Sequence, residues 1–310
     1  MTYSLIFSVF SLSTFIHFIT NRLFLFYKKY DKVNSRSIHN SIATRSGGIG
    51  IFFSLFLVSL YFYLKNNEIF DFTLLIPLGI IFFVGVYDDI YSADFKLKFF
   101  LQIIVAKILI DQGYVIDNFH GFLGIYEITR VFSQLITAFV FIIIVNAFNF
   151  VDGIDGLAIT LFIKSILLIE FLSAEFTPFF YLSLIIISSL ISLYYFNFRG
   201  TNKVFLGDAG SLFLGSIISL YIFFIIGENY EFKIGFQINK TLFSILIVFY
   251  PLMDLIRVFI LRVYHNTSPF KPDQNHIHHF LVKKLNSHSS TLILIISLEL
   301  LILFSAFLFV

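Results

Sequence analysis

Five clusters of polar residues interrupt an otherwise apolar sequence, and their residue types suit the binding of phosphates and metal ions. The clusters lie at residues 36–48, 88–89, 146–156, 197–211 and 265–279. Aspartate, glycine and histidine recur in them, whereas the sequence has no cysteine. The missing cysteines exclude disulfides, thiolate metal sites and cysteine nucleophiles. Any chemistry must therefore use carboxylates, backbone amides and imidazoles.

The acid pair Asp88-Asp89 directly follows the apolar run 80–87. Two adjacent carboxylates at the edge of a membrane are costly unless a cation or water neutralises them. The pair therefore suggests a site for Mg²⁺. The alternative is a solvated pair that only ends a helix.

Two other segments place aspartates beside glycines, NAFNFVDGIDGL at 146–157 and FLGDAGSL at 205–212. If the first segment begins a helix, Asp152 and Asp155 share one face near its N-terminus, where the glycines let a phosphate approach backbone N–H groups. Asp208 alone suits Mg²⁺ on a diphosphate, because that ion takes only one or two carboxylates. A helix cap would explain one aspartate in each segment, but not the glycines around it.

Three histidines lie within four positions at His276, His278 and His279. A zinc site would need further spaced ligands, and no cysteine is present to supply them. Contact with phosphate is the favoured interpretation, and a solvated polar loop is the alternative. The isolated histidines are predicted to have ordinary structural roles; they are His17, His120 and His288.

Membrane helices must position these clusters. Hydrophobic residues make up 58% of the 310 residues and charged residues 13%, about half of the charged fraction of a soluble protein. Apolar runs long enough to cross a bilayer recur along the chain. The predicted fold is all-α, a polytopic bundle of about ten transmembrane helices in a single domain over residues 1–310. The predicted spans lie near 3–27, 47–64, 72–87, 98–112, 129–147, 156–173, 178–196, 211–226, 240–262 and 291–310.

The distribution of positive charge predicts the orientation. If the spans alternate, one set of connections carries most of the lysines and arginines, and that side is expected to be cytoplasmic. Both termini are then external. All five polar clusters fall on the cytoplasmic side, which predicts a single active site on that face. A net charge of +2 gives no field that would recruit nucleic acid.

The ordered motifs resemble those of a known family. NAFNFVDGIDGLA, KVFLGDAGSLFLG, the DD pair and SPFKPDQNHIHH are similar to the polyprenyl-phosphate N-acetylhexosamine-1-phosphate transferases, the group that contains MraY and WecA. The resemblance implies a multi-pass homodimer of the bacterial inner membrane that transfers a sugar 1-phosphate from a UDP-N-acetylhexosamine to undecaprenyl phosphate and releases UMP. The histidine segment resembles the WecA-type branch, which starts O-antigen, teichoic acid or capsule glycans.

The resemblance also implies roles for particular residues. Asp208 would bind Mg²⁺, with Mn²⁺ as a substitute, while Asp88 and Asp89 would organise the lipid phosphate, one of them acting as the suggested base. The three histidines, His276, His278 and His279, would contact the diphosphate as part of the catalytic set. The substrate-binding residues would be Arg45, Asn149, Asp152, Asp155, Asn197 and Phe205.

Two other classes of protein remain as alternatives. An intramembrane Mg²⁺-dependent prenyltransferase also holds a diphosphate on aspartates, but it leaves the histidines unexplained. A transporter would place ionisable residues near the middle of the membrane. Only Lys107 and Lys164 are predicted to lie well inside the spans. The motifs do not select among GlcNAc, GalNAc, FucNAc and QuiNAc as the transferred sugar.

Overall fold

A computed structural model describes residues 2–30, 42–199, 201–227, 230–268 and 275–308. The described residues form twelve α-helices and one pair of short strands. The helices are α1 (Thr2–Phe26), α2 (Gly47–Leu64), α3 (Leu75–Tyr91), α4 (Phe95–Asp111), α5 (Arg130–Val151), α6 (Leu157–Leu172), α7 (Phe180–Asn197), α8 (Gly207–Ile226), α9 (Lys240–Ile247), α10 (Phe249–Tyr264), α11 (Ile277–Leu285) and α12 (His288–Leu308), and the strands are β1 (Ala43–Thr44) and β2 (Lys203–Val204). Short 3-10 helices lie at Phe72–Leu74 and Phe122–Gly124. Of the predicted clusters, residues 36–41, 200 and 269–274 lie outside the described residues.

The prediction of an all-α polytopic membrane protein is confirmed. Nine of the predicted spans each overlap one α-helix, and the span near 240–262 is divided between α9 and α10. Among the described residues, seven helices are long and apolar enough to cross a membrane, or eight if α9 and α10, which are bent by 72°, form one span. The helices α4 and α6 have only 17 and 16 residues, which is short for a hydrocarbon core of about 30 Å.

The chain forms two compact units, each built from two separate stretches of sequence. The first unit consists of Met1–Asp94 and Phe176–Leu214, and the second of Phe95–Glu175 and Gly215–Val310. The boundary falls inside α8. The single domain over residues 1–310 stays a prediction.

In the first unit, a backbone pairing holds the starts of α2 and α8 side by side. Strand β1 pairs in parallel with β2, and the N–H groups of Gly47 and Gly48 extend the pairing to the carbonyls of Phe205 and Leu206. A Cβ on Gly48 would lie only 2.2 Å from the backbone nitrogen of Gly210. Glycine is therefore required for the two helices to approach so closely.

In the second unit, α5 packs against α4 and α10, and α12 packs against α9, α10 and α11. The sharp bend between α9 and α10 has an identifiable cause. Pro251 lies in the first turn of α10 and has no N–H to continue the helical hydrogen bonding. The bend therefore leaves backbone groups near Val248 to be satisfied by other residues.

Candidate active site

The first unit contains an acidic cluster, which we define as Asp88, Asp89 and Asp208. The side chain of Asp89 is only 2% exposed. Its Oδ1 accepts the N–H of Asp208 at 3.0 Å, and its Oδ2 accepts the N–H of Ala209 at 2.9 Å. A carboxylate at the end of α3 thus satisfies two N–H groups that the start of α8 would otherwise leave unpaired. Asp89 therefore fixes the position of Asp208.

Gly207 makes this contact between α3 and α8 possible. Its φ is +75°, in the left-handed region that other residues adopt only with strain. A Cβ there would also lie 2.7 Å from Oδ2 of Asp89. Outside the cluster, the half-exposed Arg45 places Nη1 3.9 Å from Oδ1 of Asp89, a distance typical of a weak ion pair.

Asp88 differs from its neighbour in its contacts. Its Oδ1 accepts the N–H of Ala93 at 2.6 Å, which closes the turn after α3. Both Asp88 and Asp208 are half-buried. Across the described parts of the chain, no group of three or more His, Asp or Glu side chains could hold a metal ion. Mg²⁺ needs only one or two carboxylates, with phosphate and water oxygens as its other ligands, so Asp208 with or without Asp88 fits that ion.

Asn197 and Phe205 lie beside the strands of the first unit. Asn197 is 3% exposed, and its Nδ2 donates to the carbonyl of Val204 at 2.9 Å. Phe205 is half-buried and donates its N–H to the carbonyl of Thr44. Asn197 thus braces the segment that leads into α8. The predicted substrate-binding roles of Asn197, Phe205 and Arg45 stay predictions.

The second unit contains a histidine cluster, which we define as His276, His278 and His279 together with Asp254. His276 is the N-cap of α11, and the other two histidines lie in its first turn. The ring centroids of His276 and His278 are 5.3 Å apart, and those of His278 and His279 are 4.3 Å apart. The structure therefore brings the three predicted histidines into one group at the start of a helix, where anions are favoured.

Asp254, in α10, holds this group in place. Its carboxylate is fully buried and accepts from Nδ1 of His276 at 2.6 Å, from the N–H of Ile277 at 2.9 Å and from Arg257 at 3.1 Å. Because Asp254 engages Nδ1, the other ring nitrogen of His276 is the one that can contact a ligand.

His278 is neutral near pH 7. Burial, with the charges of His279 and His276 nearby, holds the pKa of His278 well below its usual range. Its Nδ1 lies 3.1 Å from the hydroxyl of Tyr250. When that hydroxyl donates, the ring carries its hydrogen on Nε2, a buried atom that has no hydrogen-bond partner among the described residues.

The glycine-rich segment after α5 meets the histidine cluster. A Cβ on Gly153 would lie 2.5 Å from Nε2 of His278 and 2.7 Å from Cε1 of His279, so a larger residue would require the rings to shift. Asp152 and Asp155 do not lie within a helix, so the condition under which they would share a helical face is not met. Both lie in the connection between α5 and α6, because the two helices need a tight turn there and Gly156 supplies its left-handed residue.

Asp155 has a partner that the sequence did not suggest. It is 8% exposed, and Nδ1 of His288 lies 3.3 Å from both its N–H and its Oδ2. The predicted structural role of His288 stays a prediction. Asn149 and Asp152 are half-buried nearby along the chain, and the N–H of Asp152 donates to the carbonyl of Asn149 at 3.4 Å. Their substrate-binding roles stay predictions.

Sequence reasoning missed Tyr250, Asp254 and Arg257. These residues are spaced i, i+4 and i+7 along α10, so they share one helical face. That spacing inside an apolar segment was the signal that could have identified them.

Comparison with known proteins gives the family. The model of glycosyl transferase family 4 matches residues 71–226, half of the chain. The chain belongs to this family. The acidic cluster and the segment 146–156 lie inside the matched residues, whereas the histidine cluster and Arg45 lie outside them.

Several curated relatives of the family are similar over most of the chain. The probable undecaprenyl-phosphate N-acetylglucosaminyl 1-phosphate transferase of Bacillus subtilis is 30% identical over 278 residues, which cover 86% of this chain and 73% of the relative. The undecaprenyl-phosphate alpha-N-acetylglucosaminyl 1-phosphate transferase of Yersinia pestis is 31% identical, with coverages of 82% and 69%. The enzyme of that name from Thermotoga maritima is 29% identical, with coverages of 90% and 82%. The resemblance inferred from the motifs is confirmed.

Proposed function

We propose that the protein transfers an N-acetylhexosamine 1-phosphate from a UDP-sugar to undecaprenyl phosphate, releases UMP and so starts a cell-surface glycan. The observation that carries this proposal is the contact between Gly153 and the rings of His278 and His279. It joins two motifs that are far apart in the sequence. The names of the relatives supply the lipid acceptor and the N-acetylglucosaminyl donor.

The chemistry requires little from a general base. The attacking group is a phosphate monoester whose second pKa is about 6, so it is mostly a dianion near pH 7. The main obstacle is the repulsion between this dianion and the donor diphosphate, and charge neutralisation with in-line positioning should supply most of the catalysis. Each cluster taken by itself fits this requirement: Arg45 and the N-terminus of α8 lie at the acidic cluster, and the histidine cluster offers imidazoles and the N-terminus of α11.

Within the acidic cluster, the two adjacent aspartates have separate tasks. Both oxygens of Asp89 accept backbone N–H groups of α8, so Asp89 positions Asp208. Asp88 then organises the lipid phosphate and is the better candidate for the suggested base. Asp208 would hold Mg²⁺, or Mn²⁺ as a substitute. When bound, the ion neutralises phosphate charge.

The histidine cluster would contact the diphosphate. His276 is oriented by Asp254, and neutral His278 offers a hydrogen on Nε2 without adding charge. We expect the site to lie at the cytoplasmic face of the bacterial inner membrane, with the acceptor chain among the helices. The protein is expected to act as a homodimer.

The test is an assay of UMP release by purified protein with undecaprenyl phosphate, Mg²⁺ and, in turn, UDP-linked GlcNAc, GalNAc, FucNAc and QuiNAc. Release that depends on the lipid, with one preferred donor, is expected. The Asp208→Ala variant should be inactive, and Glu175→Ala, which removes an exposed acid outside both clusters, should match the wild type. Folded protein that releases no UMP with any donor, or releases it equally without the lipid, would overturn the proposal.

A further inference from the structure

A buried ion pair that belongs to neither cluster lies in the second unit. Nζ of Lys164, midway along α6, is 2.8 Å from Oε2 of Glu299, midway along α12, and the side chains are 7% and 3% exposed. Charges inside a membrane protein are costly and usually have a function. Lys164 is predicted to lie inside a span, whereas no pattern in the sequence indicates a role for Glu299.

The lysine satisfies a carbonyl that the bend leaves free. In a continuous helix the carbonyl of Ile247 would accept the N–H of residue 251, but that residue is Pro251 and has none. Nζ of Lys164 donates to this carbonyl at 3.0 Å, and the hydroxyl of Ser165 donates to it at 3.1 Å.

The glutamate satisfies an N–H on the other side of the bend. Tyr250 lies in the first turn of α10, and its N–H donates to Oε1 of Glu299 at 2.9 Å. The lysine thus caps the end of α9 and the glutamate caps the start of α10. A bare N–H or carbonyl inside a membrane is strongly disfavoured, because no water is present to bond to it.

The capped residues lead directly to the histidine cluster. The hydroxyl of Tyr250 bonds to Nδ1 of His278. One helical turn further on, Asp254 holds His276 and the N–H of Ile277. The orientation of the first turn of α10 therefore sets the positions of two histidine rings.

We propose that Lys164 and Glu299 are positioning residues: they cap the two sides of the broken helix α9–α10 and thereby hold Tyr250 and Asp254 where these residues orient the histidines. The capping itself is independent of the proposed function, whereas its effect on turnover rests on that function. The competing explanation is that the ion pair only joins α6 to α12.

Two substitutions separate these explanations. The charge swap Lys164→Glu with Glu299→Lys keeps an ion pair, but a carboxylate at 164 cannot donate to Ile247 and an ammonium at 299 cannot accept from Tyr250. Glu299→Gln removes the charge but keeps a carbonyl that can accept from Tyr250. If the residues cap the broken helix, the charge swap should alter the bend and Glu299→Gln should preserve it. If the ion pair only joins α6 to α12, the swap should preserve the structure and Glu299→Gln should disturb it.

The bend can be measured without reference to activity. Because the chain has no cysteine, spin labels can be attached to cysteines introduced at Ile245 in α9 and Ile260 in α10, which are 36% and 60% exposed. Pulsed EPR in lipid nanodiscs should give one narrow distance distribution for the parent and for Glu299→Gln, and a broadened or shifted one for the swap. An unchanged distribution in the swap would overturn the capping.

If the charge swap does not yield monodisperse protein, a second pair of variants tests the capping in its place. Glu299→Leu and Glu299→Gln both remove the charge, but only glutamine retains the acceptor. The leucine variant should broaden the distribution, and the glutamine variant should not. Equal distributions in these two variants would also overturn the capping.

Turnover then tests the link to the histidines. The swap should lower kcat for UMP release by about tenfold or more, with a smaller change in KM, because misplaced groups slow the chemical step more than binding. The Glu299→Gln variant should stay within about twofold of the wild type. An altered bend with normal kcat would overturn the link. If the wild type itself is inactive, the proposed function fails while the EPR result still decides the capping.

Discussion

The acidic cluster and the histidine cluster are held in place by different parts of the chain. In the first unit, the acidic cluster is held mainly by hydrogen bonds of the backbone. Strand β1 pairs with β2, and the carboxylate of Asp89 accepts hydrogen bonds from backbone N–H groups of α8. In the second unit, buried side chains of α10 hold the rings, through Asp254 and Tyr250. The first arrangement should therefore be sensitive to changes at glycines, and the second to changes at buried polar residues that never touch the substrate.

The largest expected effect is a difference in activity between two variants of the acidic cluster. Asp208→Ala should lower UMP release by about 1,000-fold or more, because it removes the predicted ligand of Mg²⁺. Asp88→Asn should leave a measurable remainder, because the acceptor phosphate is already ionised near pH 7. Initial rates at saturating substrates would check both variants. Equal and complete loss in the two variants would contradict this division.

Two glycine substitutions compare how the clusters are built. Gly207→Ala should destabilise the protein by about 2–4 kcal/mol, because it combines a left-handed backbone with a collision against Asp89. Gly153→Ala should cost less stability, since its Cβ meets the ends of histidine side chains that can move, yet it should still lower activity. Thermal unfolding followed by circular dichroism, together with UMP release, would show the difference. Equal losses of stability in the two variants would contradict the view that backbone contacts hold the acidic cluster in place.

A substitution at Asp254 tests whether buried side chains hold the histidine cluster in place. Asp254→Asn should lower kcat about 10- to 100-fold, because an amide NH₂ facing Nδ1 would force His276 into the other tautomer. The matched control is His265→Ala, which removes an exposed histidine outside the cluster. Kinetics of folded, monodisperse protein would test this expectation. Wild-type turnover in Asp254→Asn would mean that the orientation of His276 is unimportant.

The smallest expected effect is a dependence of stability on pH. The pKa of His278 is lowered in the folded protein, whereas the imidazole of an unfolded chain has a pKa of about 6.5. Below that pH the unfolded chain gains a proton that the folded chain does not, so this contribution is fully present above pH 6.5 and declines as the pH falls. The slope is at most about 1.4 kcal/mol per pH unit.

Melting temperatures at pH 5.5 and 7.5 would measure this decline. His278→Gln should reduce the difference between the two temperatures. Identical pH dependence in the wild type and His278→Gln would show that His278 does not cause it.

Much of the fold could be predicted because long apolar runs directly encode membrane helices. The sequence did not reveal the bend between α9 and α10, since Pro251 also suits an ordinary first turn. It also placed the ends of α4 and α6 only to within a few residues, because those ends depend on the turns around Asp94 and Gly156.

The candidate site was only partly predictable for a related reason. Glycines beside aspartates and clustered histidines are local patterns, so their residues could be named from the sequence. Asp254 and Glu299 are single acids in apolar helices, and their partners lie 22 residues away or on another helix. Their importance comes from contacts that only the folded chain reveals.

The pairing of β1 with β2 also imposes an order on biosynthesis. The N-terminal helices enter the membrane as the ribosome makes them, but β1 has no partner until residue 204 has been translated. Asp89 must likewise wait for α8 before its carboxylate is satisfied. The nascent chain therefore carries Asp89 without its two N–H partners through the insertion of α4 to α7, the stage at which a membrane chaperone or quality-control protease would have most access to it.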